Sequence, residues 1–377
     1  MSLDRALQQL SRLVEEEVSP RAAIIDRERR FSVENFRSFG QQGLLGLMVP
    51  EEFGGLGGNL TALVEACETV AKGCASTAMC FLMHHCGTAV IAAKATREQG
   101  ERFLRPIARG EKIATLAFSE RGTGAHFYQP EMQARFRDGQ VWLSGKKSFV
   151  TNGDQADYLL LITNATVPEK GSDIFLLASD QPGVSFEGEW DGLGMAGNNS
   201  IALNLDNVRL SWDALLGEEG DGAAVIFQVV APHFLLGISA VNLGTADAAF
   251  QTALSHATAR KYTSGTSLAE IPAIQSHLAE MQQKVELLRS LLYRAAAKAD
   301  QGDEQAVLLA MQSKIAASET AVQVTDQAMQ VCGGQGYSRR LPLERYLRDA
   351  RASAVMAPTT DVLKGWIGKS LAGLPLF

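Results

Sequence analysis

At 377 residues the chain is longer than one hydrophobic core usually supports, so two or three domains or layers are expected. Apolar residues make up 46%, which excludes global disorder. A formal net charge of −7 argues against the basic surface of a nucleic-acid binder, while leaving room for local Arg or Lys sites that hold small anions.

Residues 1–113 read as a helical domain. Leu3, Leu7, Leu10 and Leu13 recur at helical spacing, with no signal-peptide core around them. Ser32 is a candidate cap for a second helix. The glycines of 49–58 interrupt the pattern, which resumes over 60–93 and 97–109. The cysteines Cys67, Cys74, Cys80, Cys86 and Cys332 are odd in number and form no C-x-x-C pair. They read as free thiols of a reducing compartment, and no metal site is expected.

Residues 114–218 shift to short β-rich runs: 115–118, 141–143, 158–163, 173–177, 184–186 and 201–205. Asp138-Gly139 and Asn152-Gly153 are turn signals among them. A small antiparallel, barrel-like β domain is predicted. Residues 219–377 return to helix over 229–261, 274–300 and 304–330, with Gly265 and Gly302 at the joints, which predicts a four-helix bundle. The fold class is therefore multi-domain α+β. Stretches 74–93 and 223–244 are long and apolar. His84 and His85 in the first, and Gln228, Pro232, His233 and Asn242 in the second, would be costly at mid-bilayer. Buried helices, no membrane insertion and a cytoplasmic location are expected. No G-x-G-x-x-G follows a strand and no P-loop is present, so a dinucleotide would bind by another route.

Five collinear segments carry a family resemblance. They are 43–58, Phe118-Ser-Glu-Arg-Gly-Thr-Gly, Gly145-Lys-Lys-Ser-Phe-Val-Thr-Asn-Gly, Asp326-Gln-Ala-Met-Gln-Val-Cys-Gly-Gly-Gln-Gly-Tyr, and Glu344-Arg-Tyr-Leu-Arg-Asp-Ala-Arg. Across essentially its whole length the chain resembles the acyl-CoA dehydrogenase family. The resemblance implies FAD as cofactor, acyl-CoA or another acyl thioester as substrate, and α,β-dehydrogenation. It further implies electron-transfer flavoprotein or a similar acceptor, and a homo-oligomer, most often a tetramer.

The same resemblance assigns the flavin residues. Phe118 and Ser119 would hold the edge of the flavin ring. Phe149, where Trp is commoner, would cover one face, and Thr151 would donate to N5; strand alternation places both on one side. Arg260 would meet the pyrophosphate of an adjacent subunit's FAD, Gln330, Gly333 and Gly334 its adenine side, and Thr359 and Thr360 its phosphates. Each has a blander reading: a turn serine, a core Phe, a surface Arg, a glycine that ends a helix, and threonines that cap one. Arg348 and Asp349 read as an ion pair between helices.

The acyl side departs from the family. The usual catalytic Glu position holds Ala357, and the alternative Glu-Arg position in the bundle holds Phe234 and Leu235. Gly-Ser-Asp becomes Gly124-Ala125-His126, which removes a hydroxyl. Asp361 and His233 could take over the base role; His84 and His85, on apolar helices, are further candidates. Three functions stay open: an acyl-thioester dehydrogenase with a relocated base, a flavin monooxygenase that removes no α-proton, and a non-catalytic flavoprotein.

Overall fold

The computed structural model describes residues 2–375. The chain opens with helices α1 (Leu3–Leu13), α2 (Ser19–Glu28), α3 (Val33–Gln41), α4 (Leu60–Gly73) and α5 (Ala75–Lys94), then the short α6 (Arg97–Gln99) and α7 (Arg105–Ala108). In α1, Ala6, Leu10 and Leu13 share one face and are buried there. The helical pattern of 60–93 splits at Cys74, whose extended backbone (φ −156) turns the chain between α4 and α5. Asn59 caps α4 by accepting from the Ala62 amide at 2.9 Å. The orphan amides of Leu60 and Thr61 donate to Asp300, at 2.8 and 3.1 Å. Ser32 stands at the start of α3, but its buried hydroxyl makes no capping bond. Helix α5 is apolar all round because it is buried all round, from Ala75 to Ile91.

The middle of the chain holds strands β1 (Ala114–Ala117), β2 (Gln133–Arg137), β3 (Gln140–Val150), β4 (Tyr158–Asn164), β5 (Ser172–Ala178), β6 (Val184–Glu187) and β7 (Ile201–Ser211). They form one sheet in the order β1-β4-β2-β3-β7-β6, with β5 on β4. The expectation of a purely antiparallel domain is corrected here: β4 runs parallel to β1 and touches β2 in the same sense. The β2–β3 hairpin turns on Asp138 and Gly139, both at positive φ, and β4 re-enters in the direction of β1. Strand β2 itself escapes the sequence reading, because four of its five residues are exposed and no apolar alternation marks it.

Helices α8 (Gly222–Val225), α9 (Ala231–Ala259), α10 (Pro272–Asp300), α11 (Ala306–Tyr337), α12 (Leu343–Val355) and α13 (Thr360–Leu371) complete the chain. A π-helical turn, Ile226–Val230, joins α8 to α9. Helix α9 packs on α10, α11 and α12, as a bundle requires, and also on α4 and α5. One hydrophobic core consequently runs through both helical regions, while a second, smaller core fills the β domain. Helix α13 adds a further layer on α11. By length and composition Ala75–Lys94 and Gly222–Ala259 could each cross a membrane; in this fold the first is buried almost throughout.

Candidate active site

Phe118 and Ser119 directly follow strand β1, which ends at Ala117. Phe118 is buried, and the Ser119 carbonyl accepts the Ser148 amide at 2.8 Å, which ties the end of β1 to β3. The next residue, Glu120, is buried with Lys147. The Glu120 carboxylate accepts from the Lys147 amine and from the amides of Glu131 and Met132. Burial pushes the Lys147 amine down to about 8, against the pull of Glu120. This pair pins the 120–131 loop to the sheet. The Glu131 carboxylate lies over Gly122, close to where a Cβ would stand.

Phe149 lies in a register shift between β3 and β7, at φ 55. That conformation is a strained one for a bulky residue. It turns the ring outward, 68% exposed, with Trp190 as a ring neighbour at 6.3 Å. Thr151 lies just past β3 and is buried, its Oγ1 2.8 Å from Ser200 Oγ. The register shift and the positive φ at Phe149 interrupt the regular strand alternation expected between these two residues, and Phe149 is exposed while Thr151 is buried. Ser148 Oγ and Asn152 Oδ1, which flank the pair, are buried with no partner among the described residues. Orphaned polar atoms and an exposed aromatic ring in one stretch suit a flat ligand with a hydrogen-bonding edge.

The distal candidates lie on the helical layer. Arg260 ends α9, exposed, its guanidinium 5.5 Å from the Tyr262 ring. Gln330 is exposed on α11. Gly333 breaks that helix at φ 53, ψ −136, a conformation that favours glycine. A Cβ on Gly333 or Gly334 would meet nothing within 4 Å in this chain. The Thr359 hydroxyl accepts from the Val362 amide at 3.3 Å and so caps α13; Thr360 donates to the Ala354 carbonyl at 3.5 Å. Arg348 and Asp349 do not pair with each other. Arg348 pairs with Asp26 and Glu344, while Asp349 accepts from the Met195 amide and is raised to about 6 by burial. Adjacent positions on a helix diverge by about 100°, which sends the two side chains to different neighbours.

On the acyl side, Ala357 lies in the turn between α12 and α13, and Phe234 is half-buried on α9. Beneath that turn is a residue the sequence reading missed. Lys314 is fully buried on α11 and donates to the carbonyls of Met356 and Pro358, at 3.3 and 2.9 Å. Burial pushes its amine down to about 8. Phe227, just before α9, Tyr128 of the 120–131 loop and Trp366 of α13 stack against one another, with ring centroids 5.7 to 6.4 Å apart. Three separate parts of the chain meet in that cluster.

The candidate bases divide by their hydrogen bonds. His84 Nδ1 accepts from the Ala114 amide at 3.0 Å and its Nε2 donates to the Leu45 carbonyl at 2.9 Å. Both nitrogens are committed, so His84 is a structural staple. His85 is sealed in the core, edge-on to Phe81 at 4.3 Å, with both nitrogens unpartnered among the described residues. Burial holds it well below its ordinary pKa. Asp361 is exposed on the first turn of α13. His233 is half-buried; its Nδ1 donates to the Val229 carbonyl at 2.6 Å, which leaves Nε2 as an unprotonated acceptor. Burial lowers its pKa and keeps the ring neutral near pH 7. No group of three or more His, Cys, Asp or Glu that could hold a metal ion occurs among the described residues.

Comparison with known proteins gives consistent matches along the chain. Residues 4–111, 115–208 and 220–372 match the domains described as acyl-CoA dehydrogenase N-terminal, middle and C-terminal domain. The chain is 34% identical over 352 residues to a mitochondrial short-chain specific acyl-CoA dehydrogenase of Bos taurus, covering 92% of this chain and 84% of that one. It is 31% identical over 361 residues to the short-chain specific acyl-CoA dehydrogenase of Clostridium acetobutylicum, covering 95% and 94%. Its fold matches butyryl-CoA dehydrogenase of Megasphaera elsdenii with a TM-score of 0.92, at 27% identity and 98% coverage of both chains.

Proposed function

The chain belongs to the acyl-CoA dehydrogenase family, and from that premise we propose that it dehydrogenates an acyl thioester using a proton acceptor other than the family's glutamate. The family is FAD-dependent, and bound FAD supplies the acceptor for the β-hydride. The residues present fit that cofactor. Phe149 presents an open ring, Thr151 a buried hydroxyl, and Ser148 and Asn152 unpartnered polar atoms. Ser119 and Thr151 are read as holding the ring edge, Arg260 the pyrophosphate, Gln330, Gly333 and Gly334 the adenine side, and Thr359 and Thr360 the phosphates. Electron-transfer flavoprotein or a similar carrier, a homo-oligomer and a cytoplasmic setting complete the reading.

One observation carries the proposal. The flavin-side motifs are largely kept, with Phe149 where Trp is commoner, yet Ala357 and Phe234 stand at both positions where the family keeps its base. Neither side chain can take up a proton. His233 is the substitute best suited by its state. It is neutral, and it has a tethered N–H and an open Nε2. Asp361 is second, because its exposure leaves it in water.

Anaerobic bleaching of the bound flavin by butyryl-, octanoyl- and isovaleryl-CoA tests the reading. The wild type is expected to bleach slowly, Ala357→Glu faster by about 10²–10⁴-fold, and His233→Phe not at all. Bleaching of His233→Phe at the wild-type rate would transfer the role to Asp361. Failure of every CoA ester to bleach either wild type or Ala357→Glu would end the dehydrogenase reading.

A further inference from the structure

Thr151 and Ser200 come from separate loops, yet their hydroxyl oxygens lie 2.8 Å apart and both residues are buried. The loops are fastened around them. The Asn152 amide donates to the Asn198 carbonyl at 3.1 Å, and the Asn152 side chain donates to the Cys80 carbonyl at 3.1 Å. The Ser200 amide donates to Asn198 Oδ1 at 3.2 Å. A Cβ on Gly153 would fall 2.7 Å from the Asn199 carbonyl, so the two loops meet at backbone contact. The hydroxyl pair is thus held rigidly.

Two hydroxyls carry two hydrogens, and only one can lie between the two oxygens. No other side-chain acceptor is bonded to either hydroxyl among the described residues. When Ser200 donates to Thr151, the Thr151 hydrogen is free for a ligand. When Thr151 donates to Ser200, Thr151 offers a lone pair instead. From this we infer that Ser200 is a positioning residue for the flavin: it sets whether Thr151 donates or accepts, so one threonine can serve a bare nitrogen and a protonated one in turn. The inference rests on the reading that Thr151 faces the flavin N5. It extends that reading to a residue on the far side of the threonine, which reaches the cofactor only through it.

The test is a double-mutant cycle read by the midpoint potential of the bound flavin. The proteins are wild type, Thr151→Val, Ser200→Ala and the double variant, each reconstituted with FAD. Thr151→Val is expected to shift the potential. Ser200→Ala should shift it in the same direction and by less, and should add nothing on top of Thr151→Val. Ser200→Thr should restore the wild-type value. Ser200→Cys, close in volume and a poor donor, carries the same expectation if the alanine variant does not hold FAD. A Ser200→Ala shift of equal size with and without Thr151 would overturn the relay, because the effect would then not pass through Thr151. No shift from Ser200→Ala beside a clear shift from Thr151→Val would overturn it as well. No shift from Thr151→Val would instead remove the reading of Thr151 on which the inference stands.

Discussion

His84 shows how a histidine on an apolar helix is made inert. Its two bonds, to Leu45 and Ala114, hold α5 against the loop before α4 and against the start of β1. Burial pushes its pKa from 6.5 down to about 4. The folded state therefore refuses a proton that the unfolded chain accepts. The stabilising contribution is complete above pH 6.5 and is lost as pH falls toward 4, by on the order of 3 kcal/mol. Urea midpoints measured between pH 7 and 4 should fall, and His84→Gln should flatten that fall while lowering stability at pH 7. An unchanged slope in the variant would assign the acid sensitivity elsewhere. Phe149 is the opposite case. Its ring is largely open to solvent, so Phe149→Ala should leave the unfolding of the cofactor-free chain within about 0.5 kcal/mol. It should raise the FAD dissociation constant, measured by flavin fluorescence. A drop in apo stability of several kcal/mol would show that the ring packs against the protein instead. Ser119, Phe149 and Thr151 could be named as candidates from the sequence because they fall in short contiguous motifs. Ser200 could not, because its partner lies 49 positions away and only the folded loops bring them together.

At the scale of elements, the long helices could be read from their length and from the Gly and Pro residues near several of their joints, although α5 and much of α9 are buried on every side rather than along one face. The sheet was harder. The parallel β1–β4 pairing cannot be seen in either strand, because both are buried almost throughout and periodicity carries no strand direction. The 120–131 loop was legible only as a glycine-rich turn. What fixes it is the buried Glu120–Lys147 pair, whose members lie 27 residues apart. Lys147→Met would leave the Glu120 carboxylate buried with backbone donors alone. Removing one member of a buried pair costs about 3–5 kcal/mol. The expected result is a lower urea midpoint and protease cleavage within 120–131. Glu120→Gln with Lys147→Met should recover part of the loss, since no charge then stays buried without a partner. A single Lys147→Met variant as stable as wild type would show that the amides of Glu131 and Met132 suffice to hold the carboxylate.

At the scale of the whole molecule, several large apolar side chains of the helical layer stand open to solvent. Leu287 on α10, Val307 and Tyr337 on α11, and Val355 on α12 are large, apolar and more than half exposed. Scattered singly, such residues are ordinary surface, so the case for an interface rests on the distal cofactor candidates. The distal cofactor candidates share this layer. Among the described residues Arg260 has an aromatic ring beside it and makes no ion pair, Gln330 is exposed, and Gly333 and Gly334 face open space. In a single chain these residues have nothing to hold. Across an interface between copies they would hold the phosphate and adenine end of the neighbour's FAD, a guanidinium being well shaped for a phosphate. Cofactor retention and assembly should then be linked. Light scattering is expected to give a homo-oligomer, most simply a tetramer. Dilution that lowers the mass should release FAD over the same concentration range. Arg260→Ala should weaken FAD retention with little change in the flavin absorption bands, because it acts at the far end of the cofactor. A monomer that keeps full FAD occupancy on dilution would break the link, and Arg260, Gln330 and Gly334 would return to being ordinary surface residues.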